Sequence, residues 1–391
     1  MCTHFKKHLS GIFLGKKYLP FSKIFYLLQS DAFEDLQLLN ELYFDHNKVQ
    51  KVHQSWFRNL TALETLRMDS NWLQSLECST FQNLGLLKLL DISRNSLTTL
   101  EQCTFSGLRS VERLVIEENA ISRIDADTFT ELVSLQTLYL GKNRISTLDK
   151  DLFTNVPLTI LDLSSNSLTT LDEAFLSSTS LSYFQLEKNL ITRIDECAFS
   201  KLPSLQTLRM AGNKLSSIAD KAFDQCEIND ASSPLRTIDL GFNSLNHIPI
   251  KSFQALHKIQ TLFMNDNPLT SLDVNATAIA GPYLTTLDSL YLSNTLITDL
   301  GNNSFVAMLS SLHTLEMKGC MLEEVPTTTL AKLTKLWTLI LDGNPISTLS
   351  YESFQRNSEM VTFSLRFSRN LTIVRFIAFY RIYDEKSCDK K

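Results

Sequence analysis

The chain has 391 residues, 43% hydrophobic and 20% charged, with a formal net charge of −5. That composition belongs to a folded protein and excludes a disordered one, and so small a negative charge is not the footprint of a nucleic-acid binder. No apolar run reaches the roughly 20 residues of a membrane span; the best, TIVRFIAFYRIY from Thr372, is broken by Arg375 and Arg381.

The first 24 residues carry no pattern. Their apolar run stops at Lys16 and Lys17, too short for a secretory signal. GIFLGKK resembles a phosphate loop, but it has one residue too few between its glycines and no Ser or Thr after the lysine to hold magnesium.

From residue 25 to about 360 the sequence repeats. LYLGKNRISTLDKDLF, residues 138–153, alternates as a strand through Leu138 and Leu140, then changes period at Asn143. With Asn143 as position 0, apolar residues fall at −5, −3, +2 and +5, and Phe at +10. The same register has its zero at Asn47, Asn71, Asn95, Asn119, Asn143, Asn166, Asn189, Asn213, Asn243, Asn267, Thr295, Cys320 and Asn344. A period this regular means a solenoid and sets aside the two or three domains that length alone suggests. Each unit is a short strand, a tight turn and a returning arc. Backbone groups turned inward at the bend cannot reach water, and an Asn side chain has the donors and acceptor to satisfy them. The asparagines are therefore expected to form a buried ladder, with Cys320 as a small substitute.

The unit LxxLxLxxNxLxxL, with Phe near its end, resembles the typical 24-residue leucine-rich repeat. LQTLYLGKNRISTLDKDLF and LQTLRMAGNKLSSIADKAF carry the resemblance almost position for position. It implies an α/β-type repeat solenoid, a leucine-rich repeat horseshoe of about 13–15 repeats with a parallel β-sheet on its concave face. It also implies a non-enzymatic, cofactor-free binding role, familiar from receptor ectodomains and other extracellular proteins. Two departures stand out: neither cysteine-rich end cap of the extracellular members is visible, and the end units are degraded. Phe25, Leu28 and Phe33 fit a unit centred on Lys23, while Leu365, Phe367 and Asn370 suggest a last copy within residues 361–391. A partial gene model of a longer protein would account for both.

Spacings between zeros are 23 to 25 residues except for 30 before Asn243 and 28 before Thr295. The extra residues lie around DQCEINDASSP and VNATAIAGPYL and are expected in loops outside the sheet. The seven cysteines, an odd number, have no metal-ligand spacing and leave the redox compartment open. The seven histidines include a single close pair, His4 with His8, in the unpatterned segment. No nucleophile elbow occurs, and the paired acids Glu117 and Glu118 suit a charged rim. Sequons at Asn59, Asn275, Asn302 and Asn370 are candidate glycosylation sites.

What remains is the outward strand surface. Its −6 column is mostly Thr, which suits a solvated sheet. Its −4 column varies, and Phe263 and Tyr291 stand there in consecutive units, with Phe242 at −1 in the unit before and Arg209 and Asp239 beside them. Aromatics with Arg are the usual composition of binding hot spots, so Arg209, Asp239, Phe242, Phe263 and Tyr291 are the expected partner-binding residues, forming one strip. A second group at the first coils, Tyr43, Asp45, His46 and Asp69, is acidic and is an alternative contact surface, for a missing neighbour. The expected function is recognition of a protein ligand or co-receptor, extracellular or at the cell surface, with no nucleic acid and no membrane span in the chain. An intracellular, cytoplasmic scaffold is the alternative.

Overall fold

In a computed structural model the described residues are 33–149, 151–171, 180–226, 233–272, 284–300, 309–349, 351–368 and 373–374. Two compact units divide the chain after Leu163. Both are built from the same coil. In the first unit the strands of the main sheet are Glu41–Tyr43, Thr65–Arg67, Leu89–Asp91, Arg113–Val115, Thr137–Tyr139 and Ile160–Asp162, paired parallel in that order. In the second they are Tyr183–Gln185, Thr207–Arg209, Thr237–Asp239, Thr261–Phe263, Ser289–Tyr291, Thr314–Glu316, Thr338–Ile340 and Thr362–Ser364. Each of these strands covers positions −6 to −4 of its repeat, and like positions pair with like; two-residue strands in the arcs pair separately, Thr99–Leu100 with Arg123–Ile124 and Arg193–Ile194 with Ser217–Ile218. The two insertions leave this untouched: Thr207 still faces Thr237, and Thr261 faces Ser289.

Alternation at the strand decides what is buried. Residues at −5, from Leu42 through Leu138 to Leu339, have essentially no exposure. The returning arcs close each core with phenylalanines stacked coil on coil. Phe105, Phe129 and Phe153 lie at centroid spacings of 5.9 and 5.8 Å, and Phe199 lies 5.7 Å from Phe223. Helix is scarce. Among the described residues the arcs are turns, with single 3-10 turns such as Gln54–Phe57 and Ser252–Ala255 and one four-residue α-turn, Thr327–Leu330. An arc that anchors at +2, +5 and +10 has too few apolar contacts at helical spacing to hold a longer helix.

The ladder follows a single rule, seen at Asn143. Its Oδ1 accepts the Ile121 N–H at 3.0 Å, from position +2 of the preceding coil. Its Nδ2 donates to Ile116 O at 3.1 Å and to Leu140 O at 3.0 Å, the −3 carbonyls of the preceding coil and its own. Asn71, Asn213, Asn243, Asn267 and Asn344 repeat these bonds. At Cys320 the thiol takes over, 3.3 Å from Leu292 O and 3.2 Å from the Thr295 hydroxyl.

Just before each zero the backbone is left-handed. Position −1 has positive φ in all thirteen coils, from His46 at 54° through Phe242 at 53° to Gly343 at 72°. The reason is hydrogen bonding: with that twist the −1 N–H still reaches the next coil, as Phe242 N–H does to Asn265 O at 2.9 Å. The same signature corrects the register of the last coil. Phe367 has φ 60°, Leu339 pairs with Phe363, and the Gly343 N–H donates to Arg366 O. Its zero is therefore Ser368, not Asn370, and Phe367 points outward, 83% exposed. Of the residues expected in the first degraded copy, Phe25 and Leu28 lie outside the described residues, while Phe33 is buried against Phe44 and Trp56.

Candidate protein-binding face

The face of the sheet turned away from the core is built from positions −6, −4, −2 and −1, so its side chains stand in rows running from strand to strand. In the first unit the rows carry several charge pairs. Arg67 lies 3.3 Å from Asp69 and 3.6 Å from Asp91, and Glu118 takes both Arg94, at 3.4 Å, and Lys142, at 2.8 Å. Arg113 lies over the Tyr139 ring, 4.8 Å from its centroid. Between these rows is a cavity of about 380 Å³ lined by Arg67, Asp69, Asp91, Arg113 and Glu117. Burial, with the Asp162 carboxylate nearby, raises the Glu117 carboxyl above its usual range. The sequence gives no sign of this cavity, because its lining comes from several repeats at once.

Side chains of the acidic group at the first coils pair with one another. Asp69 is 3% exposed and is held by Arg67 and by the Ser70 hydroxyl, which donates at 3.2 Å. His46 and Asp45 bond each other at 2.9 Å, and Tyr43 donates to Glu41. Asp45, His46 and Asp69 lie close enough to meet one cation, but these carboxylates already have partners.

In the second unit four of the five expected residues stand side by side at −4 on successive strands. Phe263 and Tyr291 are in register on adjacent strands, and their rings stack at 4.4 Å with 13° between planes. Both are half-exposed, outside the core. Asp239 sits beside Phe263 and Arg209 beside Asp239. Phe242 does not join them. Its left-handed backbone places it at the bend, 59% exposed, and among the described residues no ring packs on it. Of the three aromatics expected in one strip, Phe263 and Tyr291 stack, and among the described residues no ring pair joins Phe242 to them. Phe242 stands at −1, on the left-handed bend, beside the −4 row rather than in it.

Arg209 reaches Glu187 at 3.9 Å. Asp239 accepts the Gly241 N–H at 3.0 Å through Oδ1, and burial nonetheless raises its carboxyl above the usual range. Next to Tyr291, Glu316 is neutralised by Lys318 at 3.0 Å and accepts from Ser293 at 3.1 Å.

On the opposite side of the coils the structure pairs Cys78 with Cys103 and Cys197 with Cys226, each bridging successive coils with Cα separations of 5.0 and 5.8 Å. Spacing had not revealed these pairs. Their separations of 25 and 29 residues become legible only as one coil plus a small offset. Of the four sequons, Asn59 is half-exposed and donates to Glu34 O at 3.0 Å; Asn275, Asn302 and Asn370 lie outside the described residues. Among the described residues no helix is long and apolar enough to cross a membrane.

Family comparison agrees with the coil. A family model described as "BspA type Leucine rich repeat region" matches residues 27–155 and 98–229, and a second, "Leucine rich repeat", matches 285–346. A search of curated sequences finds no match. Among solved structures, a chain of the Toll–Spätzle complex of Drosophila superposes with a TM-score of 0.75 at 24% identity, over 87% of this chain and 45% of that one. The chain thus spans less than half the length of its Toll neighbour. A leucine-rich repeat protein of Leptospira interrogans gives 0.66 at 22% identity, over 91% of this chain and 88% of that one. The APL1 leucine-rich repeat domain gives 0.64 at 22% identity, over 87% and 81%. Domains of this fold generally mediate protein–protein interaction. With the first family model running over residues 27–229, more than half of the sequence, the chain belongs to the leucine-rich repeat proteins.

Proposed function

We propose that the chain is a non-enzymatic extracellular recognition module, of the receptor-ectodomain type, that binds a protein partner through the exposed sheet face of its second unit. The observation that carries this is the Phe263–Tyr291 stack, two large rings held half-exposed on a hydrogen-bonded sheet. Rigid exposed aromatics lose little freedom on binding and supply most of the contact energy at interfaces. Arg209 and Asp239 border the stack, and Phe242 at the bend is a secondary contact.

The extracellular placement is supported by the two inter-coil disulfides, since such bonds persist in oxidising compartments and are rare in reducing ones. Asn59, Asn275, Asn302 and Asn370 are then available for glycosylation, which a mobility shift on enzymatic deglycosylation of the secreted protein would reveal. The binding claim is tested by selecting a phage-displayed library of short random peptides on the oxidised full-length chain. The Phe263→Ala/Tyr291→Ala double variant serves as counter-target. Selected ligands should bind the double variant about tenfold or more weakly; ligands indifferent to it would remove the stack as an anchor.

A further inference from the structure

Across four successive strands of the second unit, position −4 is occupied by Asp239, Phe263, Tyr291 and Glu316, each in register with the next. The two rings stack on each other, so each keeps one outer face: Phe263 towards Asp239 and Tyr291 towards Glu316. A carboxylate therefore stands beside both ends of the stack. At the Glu316 end the chain supplies its own cation, with Lys318 Nζ 3.0 Å from the carboxylate. The Asp239 end differs. Asp239 Oδ1 accepts the Gly241 N–H, but no hydrogen bond or ion pair from the described residues reaches Oδ2. Arg209, the neighbouring cation, leans the other way to Glu187. Burial holds the Asp239 carboxyl above its usual range, outweighing the Gly241 N–H and the more distant Arg209 charge.

We propose that the slot between Asp239 and the outer face of Phe263 receives a basic side chain of the partner, with Asp239 as its counter-ion and the ring as its platform. This deepens the reading that the aromatic pair anchors a protein partner, and it rests on that reading. The contact is one that the chain also builds for itself, where Arg113 lies over Tyr139 of the adjacent strand. A planar guanidinium suits the slot better than an ammonium, because it can lie flat on the ring while its edge donates to the carboxylate. The docking segment is accordingly basic, with arginine favoured over lysine.

The probes are the phage-displayed short random peptides selected on the oxidised full-length chain. The enriched peptides are expected to share an arginine or lysine at a fixed place. Replacing a selected arginine by citrulline, which keeps the shape and removes the charge, should weaken binding about tenfold. Asp239→Asn should do the same, and the two losses combined should be less than additive, which marks a direct contact. As a control, Asp266→Asn should leave affinity within about twofold, because that carboxylate is already held by Asn265 and Asn294. Peptides that need Phe263 and Tyr291 but carry no basic residue, or that tolerate Asp239→Asn, would overturn the cation slot and leave the aromatic anchor standing. Peptides indifferent to the aromatic double variant, or no enrichment at all, would overturn both.

Discussion

The Phe263 ring lies 4.4 Å from the Tyr291 ring, nearly parallel to it, although 28 residues separate them in the chain. The sheet register makes this contact, since both residues occupy position −4 of consecutive coils. Their rings face away from the core and stabilise each other only as a cross-strand pair, worth about 0.2–1 kcal/mol. Replacing both with Ala should therefore lower stability by about 1 kcal/mol or less, while a ligand docked there should lose about 2 kcal/mol or more. Chemical denaturation and ligand titration on the same double variant separate the two effects. A large fall in the denaturation midpoint would mean that the pair is structural.

Asn143 is the opposite case, with its function wholly internal. Its side chain serves the Ile121 N–H and the Ile116 and Leu140 carbonyls, all in the interior of the first unit. Asn143→Leu keeps the volume and strands those groups, which should cost about 1–3 kcal/mol. An unchanged denaturation midpoint would refute the ladder role of this column.

These two residues also show how much of the molecule is legible from sequence. Asn143 was readable because its requirement recurs in every coil, and repetition turns a local hydrogen-bond need into a visible period. The −4 position of Phe263 and Tyr291 was readable for the same reason, since alternation fixes the outward face. Phe242 is outward at −1 as expected, but strand alternation does not carry past the left-handed bend, so its position in the repeat does not fix its contact with the −4 row. The last coil was misread because an asparagine at 370 imitates the ladder residue, whereas pairing of Phe363 with Leu339 fixes the zero at Ser368. The disulfides were hidden because a cysteine pair bridging coils has no short-range spacing to announce it.

The Cys78–Cys103 bond closes a 25-residue separation, one coil of the first unit. By chain-entropy reasoning such a cross-link stabilises by about 3 kcal/mol. The Cys78→Ser/Cys103→Ser double variant should unfold at lower denaturant, and its midpoint should no longer respond to reductant at this site. Thiol labelling of the native oxidised chain should leave Cys78, Cys103, Cys197 and Cys226 unmodified. Labelling of those four would contradict the pairing and weaken the case for an oxidising compartment.

Phe242 holds a backbone conformation that bulky residues adopt at a penalty, with φ of 53°. Asparagine tolerates this region well and also occupies the same position at Asn294, where φ is 58°. Since the Phe242 ring is largely exposed, and among the described residues no ring stacks on it, Phe242→Asn should stabilise the second unit by about 0.5–1 kcal/mol. Thermal unfolding reads this directly. A loss of stability would show that the ring makes a stabilising contact.

Asp239 should set stability and binding against each other. Burial raises its carboxyl above the ordinary value of 3.8, outweighing the Gly241 N–H and the Arg209 guanidinium, which both favour the ionised form. Its strand neighbour on the other side, Phe263, offers no charge. In the window between the unfolded and folded values the native state holds the proton more tightly than the unfolded chain. Stability contributed by this group therefore falls as pH rises through that window. Above the window the folded protein carries a half-buried carboxylate at a net loss. Asp239→Asn keeps an acceptor for the Gly241 N–H and removes the charge, so it should raise the denaturation midpoint at neutral pH and flatten the pH dependence in the acid range. A bound cation would favour the ionised form, so affinity for a basic ligand should rise with pH through the same window while stability declines. The two pH profiles, measured for the wild type and for Asp239→Asn, should diverge in the first and be flat in the second. Parallel wild-type profiles would mean that Asp239 does not face the ligand's charge.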